Sequence, residues 1–67
     1  MRRFLILMRD DFDIAELKAI LDEKKQACLF VIGHNVAITG EAKYGTFCSI
    51  LWHCQKFGEV KCILSPA

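Results

Sequence analysis

The chain has 67 residues, enough for a single domain, and 54% of them are hydrophobic. Nine basic and eight acidic residues leave a net charge of +1, which supplies no long-range field to hold a polyanion. No segment reaches the ~20 apolar residues of a membrane helix, and the apolar run Phe4 to Met8 behind Arg2 and Arg3 is too short for a signal-peptide core, so the chain is expected in the cytoplasm.

Arg3 to Met8 reads as a strand, and its unbroken apolar run suits a central strand covered on both faces. Phe4, Ile6 and Met8 point to one side, Leu5 and Leu7 to the other. A helix follows. Asp13 is a good N-cap, Glu16 stands at the capping-box spacing, and Phe12 and Leu17 occupy the positions of a hydrophobic staple. Ile14, Leu17, Ile20 and Leu21 form its apolar stripe, and the helix is expected to fade near Lys25 or Gln26.

Ala27 to Ile32 and Asn35 to Thr39 read as two strands joined by a tight turn at Gly33-His34 or His34-Asn35. Either turn puts Leu29, Val31, Val36 and Ile38 on one face, and Cys28, Phe30, Ile32, Ala37 and Thr39 on the other. A second helix is expected after Thr39 or Gly40, with Phe47, Ile50, Leu51, Cys54 and Phe57 on its buried side. Gly45 weakens its start, and Gly58 suits the C′ position that ends it. Val60 to Leu64 is the last strand, and Ser65-Pro66-Ala67 reads as a tail.

The order strand, helix, strand, strand, helix, strand predicts one compact α+β domain over residues 1–67. The natural arrangement is βαββαβ, ferredoxin-like (split βαβ): a four-stranded antiparallel sheet with two helices on one face. A domain of this size buries only roughly 60% of its surface. With a mean hydropathy of +0.29, the chain carries more apolar side chain than one small core can hide. If Leu29 and its companions face the helices, then Cys28, Phe30 and Ile32 lie on an uncovered apolar sheet face, which protein contact usually covers. Tyr44 and Trp52, off the apolar line of the second helix, are anchor residues of the type found at protein interfaces.

The function expected from these features is a non-enzymatic interaction module. It associates with itself as a homodimer, or docks on a partner protein, through Phe30, Ile32, Cys28 and the Tyr44/Trp52 edge. An accessory or inhibitor role, of the kind compact phage or regulatory proteins play, fits its size. No cofactor is called for.

Two rival classes come from other residues. Asp10 and Asp11 follow the first strand, and Glu41 is expected at the same sheet end if the first and third strands run side by side in one direction. Carboxylates so placed hold Mg²⁺ in a metal-dependent nucleotide-processing enzyme, although helix capping also explains acids there. An RNA- or DNA-binding sheet would need aromatics on its central strands and a basic surround. Phe30 and Phe4 are the candidates, and the basic residues are scattered. The four cysteines, Cys28, Cys48, Cys54 and Cys62, form no CxxC pair and are expected to be reduced and buried. His34 reads as an exposed turn residue, and His53 diverges from Cys54 around the helix.

Overall fold

A computed structural model describes residues 2–24 and 27–64. The elements are β1 (Arg2–Arg9), α1 (Ile14–Lys24), β2 (Ala27–Ile32), β3 (Asn35–Ala42), α2 (Tyr44–Gln55) and β4 (Val60–Leu64). The expected helix end at Lys25 or Gln26 and the tail 65–67 lie outside the described residues. The four strands form one antiparallel sheet in the order β2-β3-β1-β4.

Register decides which residues share a face. Ile6 lies opposite Ile38 on one side and Cys62 on the other, and Ile38 lies opposite Leu29. Phe4, Ile6, Met8, Val36 and Ile38 are therefore on one face, and all are buried with Leu17 and Leu21 of α1 and Phe47, Ile50 and Cys54 of α2. Both helices thus contribute to a single core on one side of the sheet. β1 is central in the sheet but is covered on this side alone. Leu5 is half-buried and Leu7 is 39% exposed on the other, which corrects the expectation of cover on both faces.

At the α1 start the expected N-cap forms. The Asp13 carboxylate accepts a hydrogen bond from the Ala15 N–H at 3.1 Å, an N-cap contact. Phe12 joins the edge of the core, its ring 5.4 Å from that of Phe57. Lys18 and Asp22 add an exposed ion pair one turn apart at 3.7 Å, worth a few tenths of a kcal/mol.

The hairpin takes the first of the two turns, Gly33-His34, because Ile32 pairs with Asn35. Gly33 has φ +62°, the left-handed conformation that two-residue hairpins need at their first turn position.

Two boundaries differ from expectation. β3 does not stop at Thr39 but runs on to Ala42, because Arg3 and Arg2 of β1 offer ladder partners to Glu41 and Ala42. α2 accordingly begins at Tyr44, with Lys43 as an N-cap that supplies no side-chain bond. Gly58 is not the C′ residue. α2 ends at Gln55 with Lys56 as C-cap, and tightened bonds from Lys56 N–H to the His53 carbonyl (3.2 Å) and from Phe57 N–H to the Cys54 carbonyl (3.0 Å) finish the last turn. These i→i−3 bonds use up carbonyls that a left-handed glycine would otherwise satisfy.

Gly45 sits in the first turn of α2, and a Cβ built there meets nothing within 4 Å. Gly45→Ala is expected to stabilise the fold by about 0.5–1 kcal/mol, because it restricts the unfolded chain and costs no contact. A thermal midpoint raised by a few degrees is the check.

Among the described residues no helix is long and apolar enough to cross a membrane.

Candidate functional site: the open face of the sheet

The face away from the helices is a small grid whose layout follows from register. Its rows, read from β2 across β3 and β1 to β4, begin with Glu41 and Arg3. Next come Cys28, Thr39, Leu5 and Ile63, then Phe30, Ala37, Leu7 and Lys61. Ile32, Asn35 and Arg9 close the grid. Its middle is apolar, with charges at the ends of the two central strands (Arg3, Glu41 and Arg9) and on the β4 edge (Lys61).

The exposure is substantial. Phe30 is 52% exposed, Ile32 66% and Ile63 65%. Ala37 is the exception, buried because it is short and lies between Phe30 and Leu7. The small side chains of β3 leave this strand as a trough between the larger ones of β2 and β1. Two depressions mark the face. One, of about 420 Å³, is lined by Leu7, Ala37, Ile32 and Lys61 among others. The second, about 220 Å³, is lined by Arg3, Leu5, Thr39 and Ile63, with Phe4 beneath. Thr39 carries no unmet polar atom, since its hydroxyl donates to the Phe4 carbonyl at 3.0 Å.

The expected partner-binding residues fall into two places. Cys28, Phe30 and Ile32 are all on the open face, along its β2 edge. Tyr44 and Trp52 are exposed but stand on α2, in the other layer, and each has its own cation. Arg2 Cζ lies 5.5 Å from the Tyr44 ring centroid, and Lys56 Nζ lies 3.6 Å from that of Trp52. They therefore do not extend the sheet face. Leu5, Leu7 and Ile63 belong to the patch as well. The signal for Ile63 was the alternation Lys61-Cys62-Ile63 in the last strand, which turns Ile63 to the same side as Lys61.

The acidic proposal loses its geometry. β1 and β3 run antiparallel, so Glu41 lies opposite Arg3, at the start of β1, and accepts a hydrogen bond from Arg3 Nε at 3.2 Å. Asp10 and Asp11 follow the far end, about 23 Å away at ~3.3 Å per residue. Asp10 instead has His34 Nδ1 3.9 Å from its carboxylate. Among the described residues no group of three or more His, Cys, Asp or Glu side chains is placed to share a metal ion.

The thiols also differ from expectation. Cys54 is buried, and its desolvation raises its pKa to about 11. Cys28, Cys48 and Cys62 are exposed: Cys28 on the open face, Cys48 off the buried side of α2, and Cys62 on the helix side of the edge strand β4, beyond the cover of the helices. Burial of a cysteine in a sheet needs a covering layer, and the helices supply one on a single face, the side opposite Cys28. His34 is exposed, as expected of a turn residue. Phe4 is buried under the helices, so it offers no stacking surface for a base. On the open face the central strands present Leu5, Leu7, Thr39 and Ala37.

No protein-family model matches the chain, and no curated protein or solved structure matches it.

Proposed function

We propose that the protein is a small, non-enzymatic interaction module whose working surface is the open face of the sheet, where it associates with itself or docks on another protein. The observation that carries this reading is the continuous apolar layer of Leu7, Phe30, Ile32 and Ile63, each between 39% and 66% exposed. Fully burying one such side chain from full exposure is worth about 1.5–3 kcal/mol, so covering the exposed part of four of them is a substantial driving force for contact. We further propose that the strand order β2-β3-β1-β4 with two helices belongs to the ferredoxin-like class of βαββαβ domains. Three exposed thiols with no disulfide partner suit a reducing cytoplasm.

Phe30→Lys tests the reading. The side chain is half-exposed, so the fold should survive, with an unchanged circular dichroism spectrum and thermal midpoint. Association of the chain with itself, or its capture of a partner, should be lost. Assembly or capture that survives both Phe30→Lys and Leu7→Lys would overturn the proposal. A wild-type chain that neither associates nor captures a protein would do the same.

A further inference from the structure

We infer that the occupant of the open face is a second copy of this chain, packed face to face about a two-fold axis that runs along the strands, between β1 and β3. The inference rests on the interaction reading above and adds the partner and its register.

Two aligned rotations bring one open face onto another. An axis across the strands would invert the rows. Arg3 would then meet the partner's Arg9, like against like, and Glu41 would meet Asn35. An axis along the strands keeps the rows and exchanges the columns, so β1 lies over the partner's β3 and β2 over its β4.

In this second arrangement the charges match. Arg3 and Glu41 are neighbours at one end of the face, joined at 3.2 Å and both well exposed (76% and 53%). Exchanging columns sets Arg3 over the partner's Glu41 and Glu41 over the partner's Arg3. Two positive and two negative groups then alternate around the axis. Aligned sheets cross near −30°, which about 10 Å from the centre of the face shifts the columns by roughly one strand spacing, so the pairing of Arg3 with the partner's Glu41 requires the two sheets to lie closer to parallel than that.

The shapes match too. Leu5 and Leu7 of β1 come over Thr39 and Ala37 of the partner's β3, the trough of the face. Large side chains thus meet small ones twice, once in each direction. Lys61 comes over the partner's Phe30, where its stem adds apolar contact and its ammonium can lie on the ring. Asn35 comes opposite the partner's Arg9 and can offer its side-chain carbonyl.

Four strands about 4.8 Å apart and about 20 Å long give a projected face of roughly 400 Å². Counted on both copies that is roughly 800 Å², below a standard specific interface and in the range of weak, transient ones. The dimer should therefore dissociate on dilution within a range that light scattering can follow.

The test is a charge exchange. Arg3→Glu leaves a chain with Glu at both positions, and Glu41→Arg leaves one with Arg at both. Each alone should face like charges across the axis, and its dimer dissociation constant should rise at least about tenfold. Mixed in equal amounts, the two variants should form a heterodimer near wild-type affinity, because every facing pair is again of opposite sign. Both side chains are exposed, and circular dichroism checks that each variant folds; Arg3→Gln, which removes charge without reversing it, should weaken the dimer less.

A wild-type dimer unmoved by either reversal, or reversals that the mixture does not repair, would overturn the axis proposed here. A wild-type monomer at all concentrations would overturn self-association. If that monomer captured a different protein in a manner abolished by Phe30→Lys, the interaction reading would stand without this inference; if it captured nothing, both would fall.

Discussion

Ile38→Ala is expected to destabilise the protein by about 2–5 kcal/mol, the largest effect of any single truncation named here. Ile38 is fully buried at the middle of β3, flanked across the ladders by Ile6 and Leu29 and roofed by the residues of both helices. Removing three carbons there forfeits their transfer free energy and leaves a space that neighbours in two ladders and a helix layer cannot close together. The proportion matters as much as the size. A 67-residue chain at about 0.05–0.15 kcal/mol per residue has roughly 3–10 kcal/mol of stability in total, so the change consumes much of it. Urea denaturation should show a sharply lower midpoint with little change in slope. Ile38→Val, which removes one methyl group, should cost about 0.5–1.5 kcal/mol. A loss under 1 kcal/mol for Ile38→Ala would mean that this residue does not sit at the centre of the core.

Much of the architecture was legible because its signals are local. Asp13 before an apolar stripe starts a helix, and Gly33-His34 between two apolar alternations closes a hairpin. The end of β3 was not legible, for a physical reason. Gly40-Glu41-Ala42 has weak strand propensity, and its extended state comes from Phe4, Arg3 and Arg2, thirty-five or more residues away in the chain. Sequence also left open which half of β1 meets the helices, since both sets of alternate residues are apolar. Register and the helix layer decide for Phe4, Ile6 and Met8.

The site was legible in part on the same grounds. Phe30, Ile32 and Cys28 share a face by parity alone, whatever the helices do. The join between them and Leu5, Leu7 and Ile63 needs the strand order, which no local signal carries. The separation of Glu41 from Asp10 and Asp11 was within reach. A hairpin makes β3 antiparallel to β2, and a helical crossover makes β2 parallel to β1, so β3 must oppose β1 and carry Glu41 to the other end. Tyr44 and Trp52 have interface chemistry, but the helix layer holds them off the face it would join.

Cys54 should react with a thiol reagent at least a hundredfold more slowly than Cys28, Cys48 and Cys62 in the folded protein. The other three are exposed, whereas Cys54 is fully buried in the core between the helices and the sheet. A reagent reaches it only when the domain opens, so its rate is the unfolded-chain rate multiplied by the opening constant. The same substitution at Ile38 should therefore speed the labelling of Cys54 by the factor by which it lowers stability, and leave the other thiols unchanged. Agreement between that factor and the urea result would show that the core opens as one unit. A fast Cys54 in an otherwise stable protein would show that α2 detaches alone.

The pH dependence has a definite sign. Desolvation raises the Cys54 pKa from 9.0 to about 11 in the folded state, so the folded protein holds this proton more tightly than the unfolded chain. Its contribution to stability is whole below pH 9 and is lost as pH climbs from there through about 11. The measurement is a difference against a chain that lacks this thiol. The stability of the wild type should fall more steeply between pH 9 and 11 than that of Cys54→Ala. Parallel curves would mean that the thiolate is already solvated in the folded state, and that the helix layer over β1 and β3 is looser than its burial implies.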